Sequence, residues 1–217
     1  LIATYFGRLE DNIDLVKELP IAGLHIDLDR APEQLEPVLS AIAPTKIGLS
    51  LGLVSGRNIW KTDLGAAVKL AQKAVDAIGA DRIQVASSSS LLHTPITVAN
   101  EKKLKPEVAD WFSFATEKCG EVATIGVALK DQAAAAQKLE ANAKSIAARR
   151  DFEKNSDPAV RERVANIKPE DLNRKSPFPQ RREVQRQFLK LPPFPTTTIG
   201  SFPQTKEIRQ YRARFTK

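Results

Sequence analysis

The residues able to do chemistry in this chain are few and scattered. Two histidines, His25 and His93, and one cysteine, Cys119, are the candidate metal ligands and nucleophiles. They lie far apart and show no metal-ligand spacing. No G-x-G-x-x-G and no phosphate-binding P-loop occurs. A second set gathers behind short apolar runs: Asp27 and Asp29, then Arg57 and Asn58, then Ser87 to Ser90 with His93. Each has a structural alternative. Asp27 either acts on a substrate, caps its own loop or pairs with a neighbouring cation, Arg57 either binds or braces, and His93 before Thr94-Pro95 also reads as a hydrogen-bonded loop residue. A third feature is the small-residue turn Ile199-Gly200-Ser201, between Thr196-Thr197-Thr198 and a helix capped by Thr205. Gly200 allows close backbone approach, and Ser201 offers an N–H and a hydroxyl to an anion such as a carboxylate. The same turn also reads as a plain βα corner.

The elements that position these residues follow from periodicity. Strands are expected at 2–6, 23–28, 46–51 and 82–87, with a loop at 52–60 holding Gly52 and Gly56. Helices are expected at 11–19, at 32–42 with Pro32 in the first turn, and at 63–78 between an Asp63 cap and a Gly79 stop. Strand and helix in alternation at this spacing imply parallel βαβ units. Functional groups then belong at the C-terminal ends of the strands. Four units do not close an eight-stranded barrel, and the pattern alone also fits a small open doubly wound sheet.

From Pro106 to Phe152 the chain reads as helical, with a break near Gly126 and Asp131. Trp111, Phe112, Ala115, Cys119, Val122 and Ala123 form the expected packing face, so Cys119 reads as a buried structural thiol. Short helices are expected at 158–167, 181–189 and 206–215, with Leu191-Pro192-Pro193 as a boundary.

Composition bounds the rest. The 217 residues are 42% hydrophobic, enough for a core. No run approaches eighteen apolar residues. The chain opens on leucine and contains no methionine, which reads as a piece of a longer polypeptide. One cysteine excludes an internal disulfide and fits the cytosol. Residues 149–217 carry 17 Lys and Arg against 8 Asp and Glu. A basic third of this kind is either a solvated face or a module that contacts RNA or another polyanion.

Three strings bring these readings together. The run Thr196 to Thr205 with Glu207-Ile208-Arg209 resembles the opening of the C-terminal domain of the cobalamin-independent methionine synthases. Ser87 to Ile96, and Gly52 to Trp60, resemble segments of that family's N-terminal domain. The resemblance covers the whole chain in the family's order. It implies an α/β fold: residues 1–152 as the second half of an N-terminal (β/α)8 TIM-type barrel, 153–193 as an interdomain linker, and 194–217 as the start of the catalytic barrel. It implies a methyltransferase that moves the methyl group of 5-methyltetrahydropteroyl-polyglutamate to homocysteine. It also implies zinc in the full-length enzyme, with ligands beyond Lys217 and none on this chain. Ile199, Gly200 and Ser201 match the segment that holds homocysteine or methionine. On this reading the chain alone is inert, its partners are the remaining segments of the same protein, and membrane and nucleic acid are not among them.

Overall fold

The computed structural model describes residues 1–152 and 156–215. The chain forms two units, Leu1–Asp157 and Pro158–Lys217. The expected start of the linker, at residue 153, lies outside the described residues.

The first unit is built on four parallel strands in strict sequence order: β1 (Ile2–Ala3), β2 (Gly23–Asp27), β3 (Gly48–Val54) and β4 (Ile83–Ser87). A parallel sheet whose strands neighbour one another in sequence order, joined by right-handed crossovers, carries its helices on one face. The register agrees. Leu24 pairs with Leu49 and Ile26 with Leu51, and on the next strand Leu49 pairs with Ile83 and Leu51 with Val85. These side chains share one face and join the core with Leu35, Val38, Leu39 and Ile42 of α2 (Leu35–Ile42), and with Leu64, Ala67, Ala71, Ala74 and Ile78 of α3 (Leu64–Ile78). The alternate positions are small or polar: Gly23, His25 and Asp27, then Gly48, Ser50 and Gly52, then Gln84 and Ala86. A doubly wound sheet buries apolar residues on both faces. This sheet does so on one.

The helix signals act as expected where the chemistry is local. The Asp63 carboxylate accepts the Ala66 N–H at 2.9 Å, and Gly79 at φ 88° ends α3. Pro32 opens a 3₁₀ turn, Pro32–Gln34, that leads into α2. Other bounds moved. The first strand stops at Ala3, because the chain turns and Phe6 takes a left-handed φ of 69°. The expected helix at 11–19 is a 3₁₀ turn, Glu10–Asn12, followed by α1 (Ile13–Val16). Strand β3 runs on through Gly52 to Val54 rather than ending at 51. Gly52 is therefore a strand residue, not a loop residue. A Cβ there would sit 2.7 Å from the Ile26 carbonyl oxygen and 2.7 Å from the Ser88 Cα, so the close packing of β3 admits no side chain.

After β4 the chain forms α4 (Pro106–Ala109), α5 (Ala115–Lys130) and α6 (Gln132–Arg150). Asp131 caps α6 through the Ala134 N–H at 3.1 Å, whereas Gly126 lies inside α5 and breaks nothing. The buried face of α5 is not the expected one. Lys118, Glu121, Thr124, Ile125 and Ala128 are buried, and Cys119 is exposed. The apolar residues of α5 occupy too much of its circumference to decide the face. The polar partners described below decide it instead.

The second unit contains α7 (Pro158–Ala165), α8 (Phe178–Leu189) and α9 (Lys206–Phe215). Helix α8 starts three residues earlier than expected, since Pro179 is tolerated in a first turn that needs no N–H. The β-branched run 196–199 is not a strand. No neighbouring strand is there to pair with it, and Ile199 is fully exposed. None of the three helices buries a residue.

Candidate functional site

The four strand ends of the first unit converge as the sequence order requires, and most of the polar residues found there hold the loops together. Asp27 is fully buried. One carboxylate oxygen accepts the Phe6 N–H at 3.0 Å, and the other accepts the N–H groups of Asp29 and Arg30 at 3.0 and 2.9 Å. The Gln34 amide donates to the Asp27 carbonyl at 2.7 Å. Of its three readings, Asp27 is thus the loop cap. His25 is buried as well, with Nδ1 2.9 Å from the Ser50 hydroxyl and Nε2 3.3 Å from the Ser88 carbonyl. Ser88 also accepts the Gly56 N–H at 3.1 Å, and Ser90 caps the 3₁₀ turn Leu91–His93.

A different group remains open to solvent. The Arg57 guanidinium lies 4.5 Å from the centre of the Phe6 ring, and the His93 ring lies 5.8 Å from the same centre. Tyr5 meets Phe6 edge-on at 4.9 Å. Residues from the ends of β1, β3 and β4 therefore meet on one aromatic ring.

Sequence reasoning missed a second fully buried charge. The Lys118 side chain is fully buried, and its ammonium donates to the Trp60 carbonyl at 3.1 Å and the Asn58 amide oxygen at 3.4 Å. Burial pushes its pKa down, and the charges of Glu121 and Asp29 pull it partly back. Three residues along α5, Glu121 accepts the Thr62 N–H at 3.2 Å. From α6, Asn142 donates to the Thr62 carbonyl at 2.9 Å and accepts the Leu64 N–H at 3.0 Å. Lys61 bonds Asp110 at 2.6 Å and Ser145 at 3.2 Å. Burial pushes the Asp110 carboxyl up, but its bonds to Lys61 and Ser145 outweigh this and hold it below its ordinary value. These side chains clamp the segment between β3 and α3 onto α5 and α6. The available signal was the i, i+3, i+7, i+10 spacing of Lys118, Glu121, Ile125 and Ala128. Two charges in that row disguise it as a solvent face.

Among the described residues, no three His, Cys, Asp or Glu side chains come together as a metal site. His25 is occupied by hydrogen bonds, His93 lies at the mouth, and Cys119 is on the exposed side of α5. Zinc does not fit the side chains described.

In the second unit, Ile199, Gly200 and Ser201 lie exposed on a turn where Gly200 has φ 76°. Thr205 accepts the Ile208 N–H at 3.4 Å and so caps α9 as its sequence predicts. The basic residues of this unit are in part engaged locally, Arg182 and Arg186 with Glu183.

Two family models match the chain, in order. The N-terminal domain of the cobalamin-independent synthases matches residues 1–79, and the catalytic domain of the same synthases matches residues 194–217. The matched residues 1–79 and 194–217 are those of two domains of the cobalamin-independent synthase family. The chain's relatives include the probable 5-methyltetrahydropteroyltriglutamate–homocysteine methyltransferase of Schizosaccharomyces pombe, 50% identical over 218 residues. The enzyme of that name from Saccharomyces cerevisiae is 50% identical over 216 residues, and that from Nitrobacter winogradskyi is 48% identical over 218. Each alignment takes in the whole of this chain and 28% of the relative's length. The family match lends no support to the polyanion-binding reading of the basic third.

Proposed function

We propose that this chain serves in a methyltransferase that makes methionine by passing the methyl group of 5-methyltetrahydropteroyl-polyglutamate to homocysteine without cobalamin. The observation that carries the reading is the pair of family matches. An N-terminal-domain match lies on the β-sheet unit, and a catalytic-domain match from the same family lies at 194–217. Within that protein, residues 1–152 form the second half of the N-terminal (β/α)8 barrel, 153–193 the linker, and 194 onward the start of the catalytic barrel. Two features support the half barrel. The strands run in strict order, and the sheet is apolar only on the side that packs against α2 and α3. In a barrel the other face turns inward.

Ile199, Gly200 and Ser201 are the residues we assign to the amino-acid substrate. The turn's positive φ at Gly200 and the helix cap that follows it support the assignment. Ser201 supplies a hydroxyl and an N–H to the carboxylate, while the reacting sulfur lies elsewhere. Zinc belongs to other parts of the whole enzyme, where it would lower the pKa of the homocysteine thiol. No step is assigned to it on this chain. The setting we propose is cytosolic, and we expect the 217-residue chain by itself to form no methionine.

The test is steady-state kinetics of the whole enzyme. Ser201→Ala removes only the hydroxyl and should weaken homocysteine binding by about tenfold or less, at or below the low end of the roughly 1.5–3 kcal/mol that a bond to a charged group contributes, because the backbone N–H remains. Ser201→Pro also removes the N–H and should be far worse. Both effects should appear in KM for homocysteine, because the carboxylate is held alike before and during transfer. Unchanged homocysteine dependence in both variants would leave the turn a structural corner.

A further inference from the structure

The open group at the strand ends has features that none of its buried neighbours shares. Arg57 and His93 both touch Phe6, yet neither makes an ion pair with a carboxylate among the described residues. Asp27, whose carboxylate accepts the Phe6 N–H, is already taken up by three N–H groups. A guanidinium over a ring still carries its fork of N–H donors for a planar acceptor.

The group is also held in place. Phe6 sits at φ 69°, a strained region for a bulky residue, and its N–H is fixed by Asp27. On the other side Gly56 is packed so closely that a Cβ would lie 2.4 Å from the Ser89 hydroxyl oxygen. The Gly56 N–H is bonded to Ser88, and the Arg57 N–H to Ser55 at 3.4 Å. Arg57 therefore leaves a backbone tied to Ser55 and Ser88. Beside it, Tyr5 is 55% and Phe6 37% exposed, which leaves an apolar wall in water.

We propose that Tyr5, Phe6, Arg57 and His93 form a binding site for an aromatic carboxylate. The Arg57 fork takes both carboxylate oxygens, His93 adds a donor, and the ligand ring lies against Tyr5 and the edge of Phe6. A phosphate would use the polar donors but not the wall, and a plain aliphatic acid would use the fork alone. The site stands on the first unit and does not depend on the methyl-transfer reading.

The two histidines provide a direct reading. His93 is exposed and His25 buried, so their imidazole resonances report the mouth and the core separately. The 217-residue chain would be titrated with benzoate, acetate and chloride at fixed pH and ionic strength. Benzoate should shift the His93 signals to saturation at concentrations on the order of millimolar, leave His25 in place, and bind several-fold more tightly than acetate. Chloride should produce no saturating shift. Arg57→Gln should weaken both acids by about tenfold, and Tyr5→Ala should remove the advantage of benzoate over acetate while keeping acetate binding. If the His25 signal shows that Arg57→Gln disturbs the fold, Arg57→Lys keeps the charge without the fork and should fall between. A His93 shift that is linear and matched by chloride overturns the proposal. So does a benzoate isotherm that neither Arg57 variant alters, or a benzoate preference that survives Tyr5→Ala.

Discussion

Helices α3 and α8 are built from similar local instructions and meet different ends. Helix α3 has fifteen residues, a carboxylate cap and a glycine stop, and it buries Leu64, Ala67, Ala71, Ala74 and Ile78. Helix α8 has twelve residues, prolines at its start and a left-handed Lys190 at its end, and it buries nothing. Its apolar residues Phe178, Val184, Phe188 and Leu189 all face water within its unit. The same holds for α7 and α9. Capping and propensity decide where a helix begins and stops. Only a partner surface makes it contribute to stability, since isolated helices of fewer than about 12–15 residues are marginal. The first unit supplies that surface with a sheet. Among the described residues, the second supplies none of its own.

The largest expected contrast is in amide hydrogen exchange of the 217-residue chain. Amides of β2 and β3 should be protected on the order of a thousandfold or more beyond those of α7, α8 and α9. Equal protection in α8 and β3 would break the comparison outright.

Denaturant unfolding should sharpen it. Leu51→Ala opens a void at a fully buried position of the core and should cost about 2–5 kcal/mol. Phe188→Ala, at a side chain exposed within its unit, should stay within about 0.5 kcal/mol. A large loss in the second variant would mean that α8 has a partner surface after all.

The polar clamp comes next. Lys118→Met removes the donor to the Trp60 carbonyl and leaves the Glu121 charge uncompensated in a buried place, a loss of roughly 2–3 kcal/mol. Adding Glu121→Gln should recover part of it. A double-mutant cycle in urea checks this, and strict additivity would show that the two charges do not act on one another.

The smallest effect concerns acid. Glu117 accepts the Thr97 hydroxyl at 2.6 Å and the N–H groups of Val98 and Phe114 at 3.2 and 3.1 Å. Burial pushes its carboxyl up, but these bonds outweigh it and hold the pKa below the ordinary value. A depressed folded pKa contributes stability that is fully present above the unfolded pKa, near about 4.3, and lost as pH falls through the folded value. Stability should therefore decline below about pH 4.3, and Glu117→Gln should lessen that decline while lowering stability near neutrality. An unchanged acid limb in the variant would remove Glu117 from the account.

The sequence by itself determined the parallel βαβ order, the limits of α3, the start of α6 at Asp131 and the cap of α9. Each rests on contacts within a few residues or on the alternation of apolar positions, and both are written along the chain. It also placed Asp27, Arg57, the serines 87–90 and His93 at one end of the sheet, because parallel strands bring their C-terminal ends together. Only the tertiary structure decided what those residues do. Asp27 became a loop cap because Phe6, Asp29 and Arg30 turn their N–H groups toward it, and Arg57 and His93 stayed open because Phe6 lies between them. It also decided that Lys118 is buried and Cys119 is not. The rotation of α5 is chosen by hydrogen-bonding partners some sixty residues away, at Asn58, Trp60 and Thr62. The run 196–199 is the converse case. β-branched residues favour a strand, but a strand exists only where another strand accepts its hydrogen bonds, and within its own unit this one has none.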